Sequence, residues 1–114
     1  MDENTEIEFN YEVVGENFQR DHLIQLIRSD VQAGELFHDA ILEPEPTNIF
    51  DPTAVKVMIA GVQVGYIAKF DSPTVTAMIA ATGIPTMTVK ARIGWDANSP
   101  QPLIGVELAL ELDQ

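Results

Sequence analysis

The sequence of 114 residues contains no cysteine, and this absence excludes disulfide scaffolds, thiolate zinc sites and cysteine nucleophiles. Basic side chains are also scarce, since six Lys and Arg residues stand against 18 Asp and Glu residues and the formal net charge is −12. A broad footprint on nucleic acid or on an anionic membrane needs a basic surface, so this charge argues against both. Apolar runs of roughly 18 residues, as in a membrane span, are missing too, and we expect no membrane-spanning segment.

Length and composition favour a single globular domain. Hydrophobic residues make up 46% of the 114 residues, which suffices for one core but not for two ordinary domains. We expect a frayed tail over residues 1–6 and one domain over residues 7–112. The acidic start Met1-Asp2-Glu3-Asn4 lacks the basic and apolar regions of a signal peptide, so a cytoplasmic location is predicted. The sequence leaves the oligomeric state open.

Alternating apolar and polar residues predict six strands and two short helices in the order β-α-β-β-β-α-β-β. The predicted strands span residues 7–13, 36–43, 54–59, 62–69, 86–95 and 103–112, and the predicted helices span residues 21–28 and 72–82. Asp21 is expected to cap the first helix, and Asp71-Ser72-Pro73 is expected to start the second with a capping side chain followed by proline at the first helical position. Ala60-Gly61 is expected to form a tight turn. In residues 36–43 the alternation does not decide which face is buried. Short hairpin-linked strands favour a mainly β fold, an antiparallel sheet curled into a small, partly closed barrel.

The most informative segment is the loop at residues 44–53, which three prolines make stiff and turn-rich. It places an aromatic ring beside a carboxylate. Phe50 can stack on a base, and Asp51 can accept a hydrogen bond from a sugar hydroxyl. In the alternative interpretation, Phe50 fills the end of the barrel and Asp51 forms an Asx turn with Thr53 or Ala54.

Two further segments are candidates for the same pocket. Gly65 permits the close approach of a backbone or a ligand, and Tyr66 and Lys69 offer a stacking face and a positive charge. The alternative is an ordinary packed tyrosine and a surface lysine. Phe18, with Arg20 close by, either forms a third wall of the pocket or covers the core beneath the first helix.

Motifs of catalysis are missing, because the sequence has no P-loop, no Gly-x-Gly-x-x-Gly, no Gly-x-Ser-x-Gly and no His-x-x-x-His. Glu43, Glu45 and Asp51 can in principle gather a divalent cation, although no calcium-loop pattern is present. We therefore expect no enzyme activity, no cofactor and no metal, with a metal-dependent phosphodiesterase as an alternative.

A series of spaced motifs resembles the HIRAN domain family, in its standalone bacterial or phage form, over roughly residues 11–112. The matching segments are Val13-Val14-Gly15-Glu16 followed by Phe18, Leu42-Glu43-Pro44, Asn48 with Phe50-Asp51-Pro52, Ala54-Val55-Lys56-Val57, Gly61 with Val64-Gly65-Tyr66-Ile67, Ala91-Arg92-Ile93-Gly94-Trp95 and Gly105-Val106. The resemblance implies a small antiparallel barrel related to OB and SH3-like barrels, with short helices.

The same resemblance implies binding of single-stranded DNA with capture of its free 3′ end. On this implication Phe18 and Phe50 stack on the terminal bases, and Asp51 accepts a hydrogen bond from the 3′-hydroxyl. Tyr66 and Lys69 then line the pocket and meet phosphate. The predicted nucleic-acid-binding residues are Asn17, Phe18, Arg20, Phe50, Asp51, Tyr66 and Lys69.

The charge supplies the alternative function. Six acidic residues precede the first basic residue, Arg20. A barrel with such a surface can serve as an acidic protein-interaction module, or as a DNA-mimic inhibitor that binds a basic nucleic-acid-binding protein.

Overall fold

A computed structural model describes residues 7–15, 19–28, 30–100 and 103–112. Within these ranges the strands and helices follow the predicted order, with a short 3-10 helix, Val31–Ala33, inserted after the first α-helix. The elements are β1 (Tyr11–Glu12), α1 (Arg20–Ile27), β2 (Glu35–Pro44), β3 (Val55–Ile59), β4 (Val62–Tyr66), α2 (Ser72–Thr82), β5 (Met87–Gly94) and β6 (Gly105–Leu108). The tail predicted at residues 1–6 lies outside the described residues.

The strands form one antiparallel sheet in the order β1-β6-β5-β2-β3-β4, and the chain around β1 brings the two edges of this sheet together. On one side, the amide of Val13 donates to the carbonyl of Val106 at 3.0 Å. On the other side, Val14 and Tyr66 exchange backbone hydrogen bonds of 2.9 and 2.8 Å. The predicted mainly β fold, a curled and partly closed barrel, is confirmed.

Gly65 in β4 makes this closure possible. A Cβ atom at this position would lie 2.4 Å from Val13 Cγ1 and 2.6 Å from the carbonyl oxygen of Val14. Those distances are far inside van der Waals contact, so only glycine fits beneath the crossing segment. The close approach predicted for Gly65 is therefore an approach of backbone, which fixes residues 13–14 against the end of β4.

The core lies on the concave side of the sheet, and the alternating residues of the strands supply it. Val55, Val57 and Ile59, which share one face of β3, are at most 1% exposed. The buried face of β2, which the sequence leaves undecided, carries Ala40 and Leu42. Helices α1 and α2 cover the core with buried aliphatic residues, namely Leu23, Ile27, Val75 and Ile79.

The hairpin turn and the end of α2 agree with expectation. Ala60 and Gly61 both have positive φ, 51° and 83°, as the tight turn between β3 and β4 requires. Gly83 ends α2 in the left-handed conformation, with a φ of 76°.

Helix α2 begins at the predicted segment Asp71-Ser72-Pro73, but the predicted capping side chains are wrong. Helix α1 begins at Arg20, so Asp21 lies inside its first turn, and the cap position holds Gln19. Asp71 does precede α2, but its side chain makes no capping hydrogen bond, because it accepts a hydrogen bond from Tyr11 instead.

The first, fourth and last strands are shorter than predicted, and the fourth ends at Tyr66 instead of residue 69. The first pairs only at Tyr11 and Glu12, and Ile7 is 49% exposed. The last pairs over Gly105–Leu108, yet Leu110 beyond it is only 5% exposed. Burial against the core thus continues the apolar alternation past the end of the hydrogen-bonded ladder.

Candidate functional site

The loop between β2 and β3 is held by its own polar groups. Asn48 Oδ1 accepts hydrogen bonds from the backbone amides of Phe50, at 2.9 Å, and Asp51, at 3.0 Å. Its Nδ2 donates to Glu45 Oε1 at 3.0 Å. At the base of the loop, the amide of Glu45 donates to the carbonyl of Ala54 at 2.8 Å. These bonds and the three prolines give the loop a defined shape that presents the residues at its tip.

Phe50 stands at that tip and is 87% exposed. The interpretation that it fills the end of the barrel is wrong, because the aliphatic side chains of the strands fill the core without it. Its neighbour Ile49 is also 87% exposed. An apolar surface of this kind, on a loop that its hydrogen bonds hold in place, is typical of a contact surface.

The two oxygen atoms of the Asp51 carboxylate have different hydrogen-bond partners. Its Oδ1 accepts hydrogen bonds from the amide of Thr53 at 2.9 Å and from the hydroxyl of Thr53 at 2.6 Å. The Asx turn is therefore confirmed. Its Oδ2 has a contact of 3.4 Å with Ser72 Oγ, and a carboxylate has about four acceptor positions. Oδ2 thus retains capacity for a ligand hydroxyl while Oδ1 holds the turn.

The pKa of Asp51 lies below its ordinary value of 3.8. The largest cause is the hydrogen bond from the Thr53 hydroxyl, followed by that from the Thr53 amide, and the positive charge of Lys69 adds to both. Asp51 is consequently ionised at neutral pH, where it accepts hydrogen bonds and repels anions.

Ser72 connects this loop to the turn between β4 and α2. Its side chain is 1% exposed, and its hydroxyl donates to the carbonyl of Lys69 at 3.0 Å. The same hydroxyl lies 3.3 Å from Thr53 Oγ1, and Thr76 Oγ1 donates to the carbonyl of Thr53 at 2.9 Å. The turn that carries Lys69 is thereby held beside the Asp51 loop.

Phe70, in that same turn, is a residue that sequence reasoning missed. Its side chain is 88% exposed, so it projects into solvent next to Lys69. The sequence does carry an indication, because Phe70 falls between the end of a predicted strand and a predicted helix start. An apolar residue in such a turn belongs to neither periodic pattern and has no predicted place in the core.

Tyr66 at the end of β4 is half-buried and contacts the loop between β2 and β3. Its hydroxyl donates to Glu45 Oε1 at 3.2 Å, the same oxygen that Asn48 bonds. A Cβ atom on Gly15 would lie 3.9 Å from Tyr66 Cδ2, so the chain at Gly15 passes close to the ring. The structure therefore brings together Phe50, Asp51, Tyr66 and Lys69 of the predicted site.

The remaining predicted residues have other positions. Asn17 and Phe18 lie outside the described residues. Arg20, the first residue of α1, lines a cleft of about 510 Å³ together with Ile24, Arg28 and Pro100. Its part in the site stays a prediction.

Tyr11 braces the β4–α2 turn from the other side. Its hydroxyl donates to Asp71 Oδ2 at 2.7 Å and accepts the amide hydrogen of Ala68 at 3.1 Å. Burial, and then the hydrogen bond to Asp71, raise the pKa of Tyr11 from 10.0 to about 12. The turn that carries Lys69 and Phe70 is thus held at both ends, by Tyr11 and by Ser72.

Elsewhere in the sheet, carboxylates form ion pairs with basic side chains. Lys56 binds Glu43 at 3.0 Å, and Lys90 binds Asp39 at 2.8 Å. Arg92 pairs with both Glu107 and Glu35. Half of the six basic side chains are therefore bound across the strands.

The three carboxylates considered for a cation have separate partners, Lys56 for Glu43, Tyr66 for Glu45 and Thr53 for Asp51. Among the residues that the structure describes, no group of three or more metal-ligating side chains is placed to hold a metal ion. In the same ranges, every helix is too short or too polar to cross a membrane.

Comparison with known proteins finds similarity to a solved structure. No protein-family model matches the sequence, and no curated protein is significantly similar to it. Among solved structures, the crystal structure of the HIRAN domain of human HLTF is similar to this chain, with 17% sequence identity and a TM-score of 0.40. The match covers 66% of this chain and 74% of that one. Similarity at this level assigns neither a family nor a function.

Proposed function

We propose that this chain is a nucleic-acid-binding module that recognises the 3′ end of single-stranded DNA, and that it acts by binding rather than by catalysis. One observation carries the proposal. The stiff loop holds Phe50, 87% exposed, directly before Asp51, whose carboxylate is ionised and keeps acceptor capacity on Oδ2. The spaced motifs of the sequence support the same function.

The base is bound by stacking. Each base has a π face, and stacking on an aromatic side chain contributes about 1–3 kcal/mol. Phe50 offers such a face, and the hydrogen bonds of Asn48 order its loop before any ligand arrives. Binding then costs little additional conformational entropy.

Asp51 recognises the 3′ end of the DNA strand. A free 3′-hydroxyl is a hydrogen-bond donor, and Oδ2 is an acceptor. A 3′-phosphate offers only negative charge to the same atom, so the ionised carboxylate repels it. The site therefore discriminates between a hydroxyl end and a phosphorylated one.

Lys69 provides the positive charge that acts on this carboxylate, and Tyr66 holds the loop at Glu45 through its hydroxyl. One lysine neutralises one phosphate, so electrostatics contribute little and the stacked base contributes most of the affinity. Such a balance suits a protein with a net charge of −12, which repels the rest of the strand.

The test is a fluorescence-anisotropy titration at low salt with a labelled oligothymidylate that ends in a 3′-hydroxyl or in a 3′-phosphate. We expect tighter binding of the hydroxyl end. Phe50→Ala should weaken that binding by about 5- to 150-fold, the range of one stacked base. Phe37→Ala is the matched control, because Phe37 is also exposed, at 59%, but lies near the start of β2, at the opposite end from the loop.

If the 3′-hydroxyl and 3′-phosphate oligonucleotides bind equally well, the proposed role of Asp51 is refuted. If neither binds, the whole proposal is refuted. Equal losses in Phe50→Ala and Phe37→Ala would show that the site is elsewhere.

A second candidate is an acidic module that binds a basic protein. The ion pairs of Lys56, Lys90 and Arg92 favour it, because they remove half of the positive charge from an already acidic surface. Its test is capture of a nucleic-acid-binding protein that both salt and competing DNA release. A partner that competing DNA does not displace would contradict DNA mimicry.

A further inference from the structure

We propose that Phe70 is a second stacking surface, so that the site holds two successive nucleotides, the terminal one on Phe50 and the penultimate one on Phe70. This inference rests on the proposed function. It adds a binding residue from the β4–α2 turn that the sequence motifs do not contain.

The distribution of exposed apolar side chains is the first support. Among the described residues, three large hydrophobic side chains have the greatest exposure, Phe70 at 88% and Ile49 and Phe50 at 87%. All three belong to the two segments that Thr53 and Ser72 join. Exposure of this extent, concentrated at one place, marks a contact surface.

The hydrogen bonds that link the two segments are the second support. Ser72 Oγ lies 3.4 Å from Asp51 Oδ2 and 3.3 Å from Thr53 Oγ1. Phe50 directly precedes Asp51 in one segment, and Phe70 stands two residues before Ser72 in the other. The backbone positions of Phe50 and Phe70 are therefore held on either side of the contact between Ser72 and the Asp51 carboxylate.

The position of Lys69 is the third support. Its charge is close enough to lower the pKa of Asp51, and it directly precedes Phe70 in the chain. The phosphate that joins the last two nucleotides lies in the backbone between their sugars. Lys69, whose charge acts on Asp51 and which directly precedes Phe70, supplies the positive charge for that phosphate.

Rigidity is the fourth support. The turn that carries Phe70 is held by the hydrogen bond of Tyr11 to the amide of Ala68 and by that of Ser72 to the carbonyl of Lys69. A ring on a turn that is ordered in advance loses little entropy on binding. Phe70, like Phe50, is therefore carried by a backbone that is ordered before the ligand binds.

The experiment places the fluorescent base 2-aminopurine at either the terminal or the penultimate position of a short oligothymidylate with a free 3′-hydroxyl. Binding of the wild-type protein should change the fluorescence at both positions. At saturating protein, Phe70→Ala should abolish the change at the penultimate position and keep that at the terminal one. Phe50→Ala should do the reverse.

Affinity supplies the second readout. Phe70→Ala and Phe70→Leu should both weaken binding by about 5- to 150-fold, and Phe70→Tyr should restore it, because stacking needs a flat π face. Since Phe70 is 88% exposed, all three variants should melt as the wild type does. Phe37→Ala again serves as the control.

The outcomes separate the two proposals. If the wild type and the Phe70 variants give the same signals and affinities while Phe50→Ala weakens binding, the role of Phe70 is refuted and the proposed function stands. Equal effects of Phe70→Ala on both probe positions would also refute it. A wild type that binds neither oligonucleotide refutes both proposals.

Discussion

The hydroxyl of Tyr11 donates a 2.7 Å hydrogen bond to Oδ2 of Asp71, 60 residues away in the sequence. This bond joins the strand that closes the barrel to the residue that precedes α2. The turn at residues 67–71, which carries Lys69 and Phe70, is therefore held by the barrel closure itself. The stability of the fold and the shape of the candidate site depend on the same contacts.

Tyr11→Phe should lower the free energy of unfolding by about 1–3 kcal/mol, because Ala68 N loses its acceptor and the Asp71 carboxylate loses a donor. Urea titrations at neutral pH measure the loss. Phe70→Ala, which removes only an exposed ring, is the comparison variant in the same turn. A stability equal to that of the wild type would show that the bond between Tyr11 and Asp71 contributes nothing.

The raised pKa of Tyr11 predicts a loss of stability at alkaline pH. The folded chain binds this proton more tightly than the unfolded chain, whose pKa is about 10.0. The stabilisation is therefore complete below pH 10 and is lost as the pH rises toward 12. Tyr66→Phe leaves Tyr11 as the one tyrosine of the chain, so its ultraviolet titration should give a midpoint near 12. A midpoint near 10 would contradict the burial of this hydroxyl.

Gly65→Ala should destabilise the fold by about 1–3 kcal/mol or more, because the added Cβ would lie 2.4 Å from Val13 Cγ1. It should also disturb Tyr66 and therefore weaken ligand binding. Gly94→Ala in β5 is the matched control, since a Cβ there meets no atom within 4 Å. Denaturant midpoints of the two variants make the comparison. Equal midpoints would mean that residues 13–14 do not cross over β4 as described.

The lowered pKa of Asp51 predicts a loss of stability at acid pH. Its folded pKa is below the ordinary 3.8, so its contribution is present above that value and is lost as the pH falls through the folded pKa. Thr53→Val removes the hydrogen bond that lowers the pKa most, and should raise the pKa of Asp51 toward 3.8. Carboxyl NMR shifts measured against pH in the two proteins test this. An unchanged titration would exclude the Thr53 hydroxyl as the cause.

DNA binding should depend only weakly on salt. For single strands the slope of log K against log salt is about −0.7 per phosphate contact, and Lys69 supplies one such contact. Lys69→Gln should therefore flatten the slope by about 0.7, while Lys90→Gln, at a lysine paired with Asp39, should leave it unchanged. The same titration of Arg20→Gln decides whether Arg20 belongs to the site. A steep slope in the wild type would indicate more phosphate contacts than this surface provides.

Much of the fold follows from local pattern. The alternation of Val55, Val57 and Ile59 predicts a strand with one buried face, and Gly83 predicts where α2 ends, and both are confirmed. The capping side chains were predicted wrongly because an aspartate side chain accepts whichever donor the fold brings nearest. At Asp71 that donor is the hydroxyl of Tyr11, which no local rule can anticipate.

In the candidate site, too, local features could be predicted from the sequence and contacts across the fold could not. The proline-rich loop, its exposed aromatic residue and the Asx turn of Asp51 are local features, because the hydrogen bonds of Asn48 and of Thr53 with Asp51 lie within residues 44–54. Phe70 was missed because its position beside the loop depends on contacts across the fold. The contacts of Ser72 with Asp51 and Thr53 bring its turn to the loop, and these residues are about 20 positions apart in the sequence.

The sequence by itself determined the class of fold, because the periodicity of apolar residues encodes which segments pair and which face they bury. The composition also argues against a broad basic surface for nucleic acid, because the formal net charge of −12 is a property of the sequence and not of its conformation. Only the tertiary structure decided that Phe50 and Phe70 point into solvent and that Ser72 brings the turn of Phe70 to the Asp51 carboxylate. Those properties depend on contacts between distant segments, and such contacts exist only once the sheet has curled and closed.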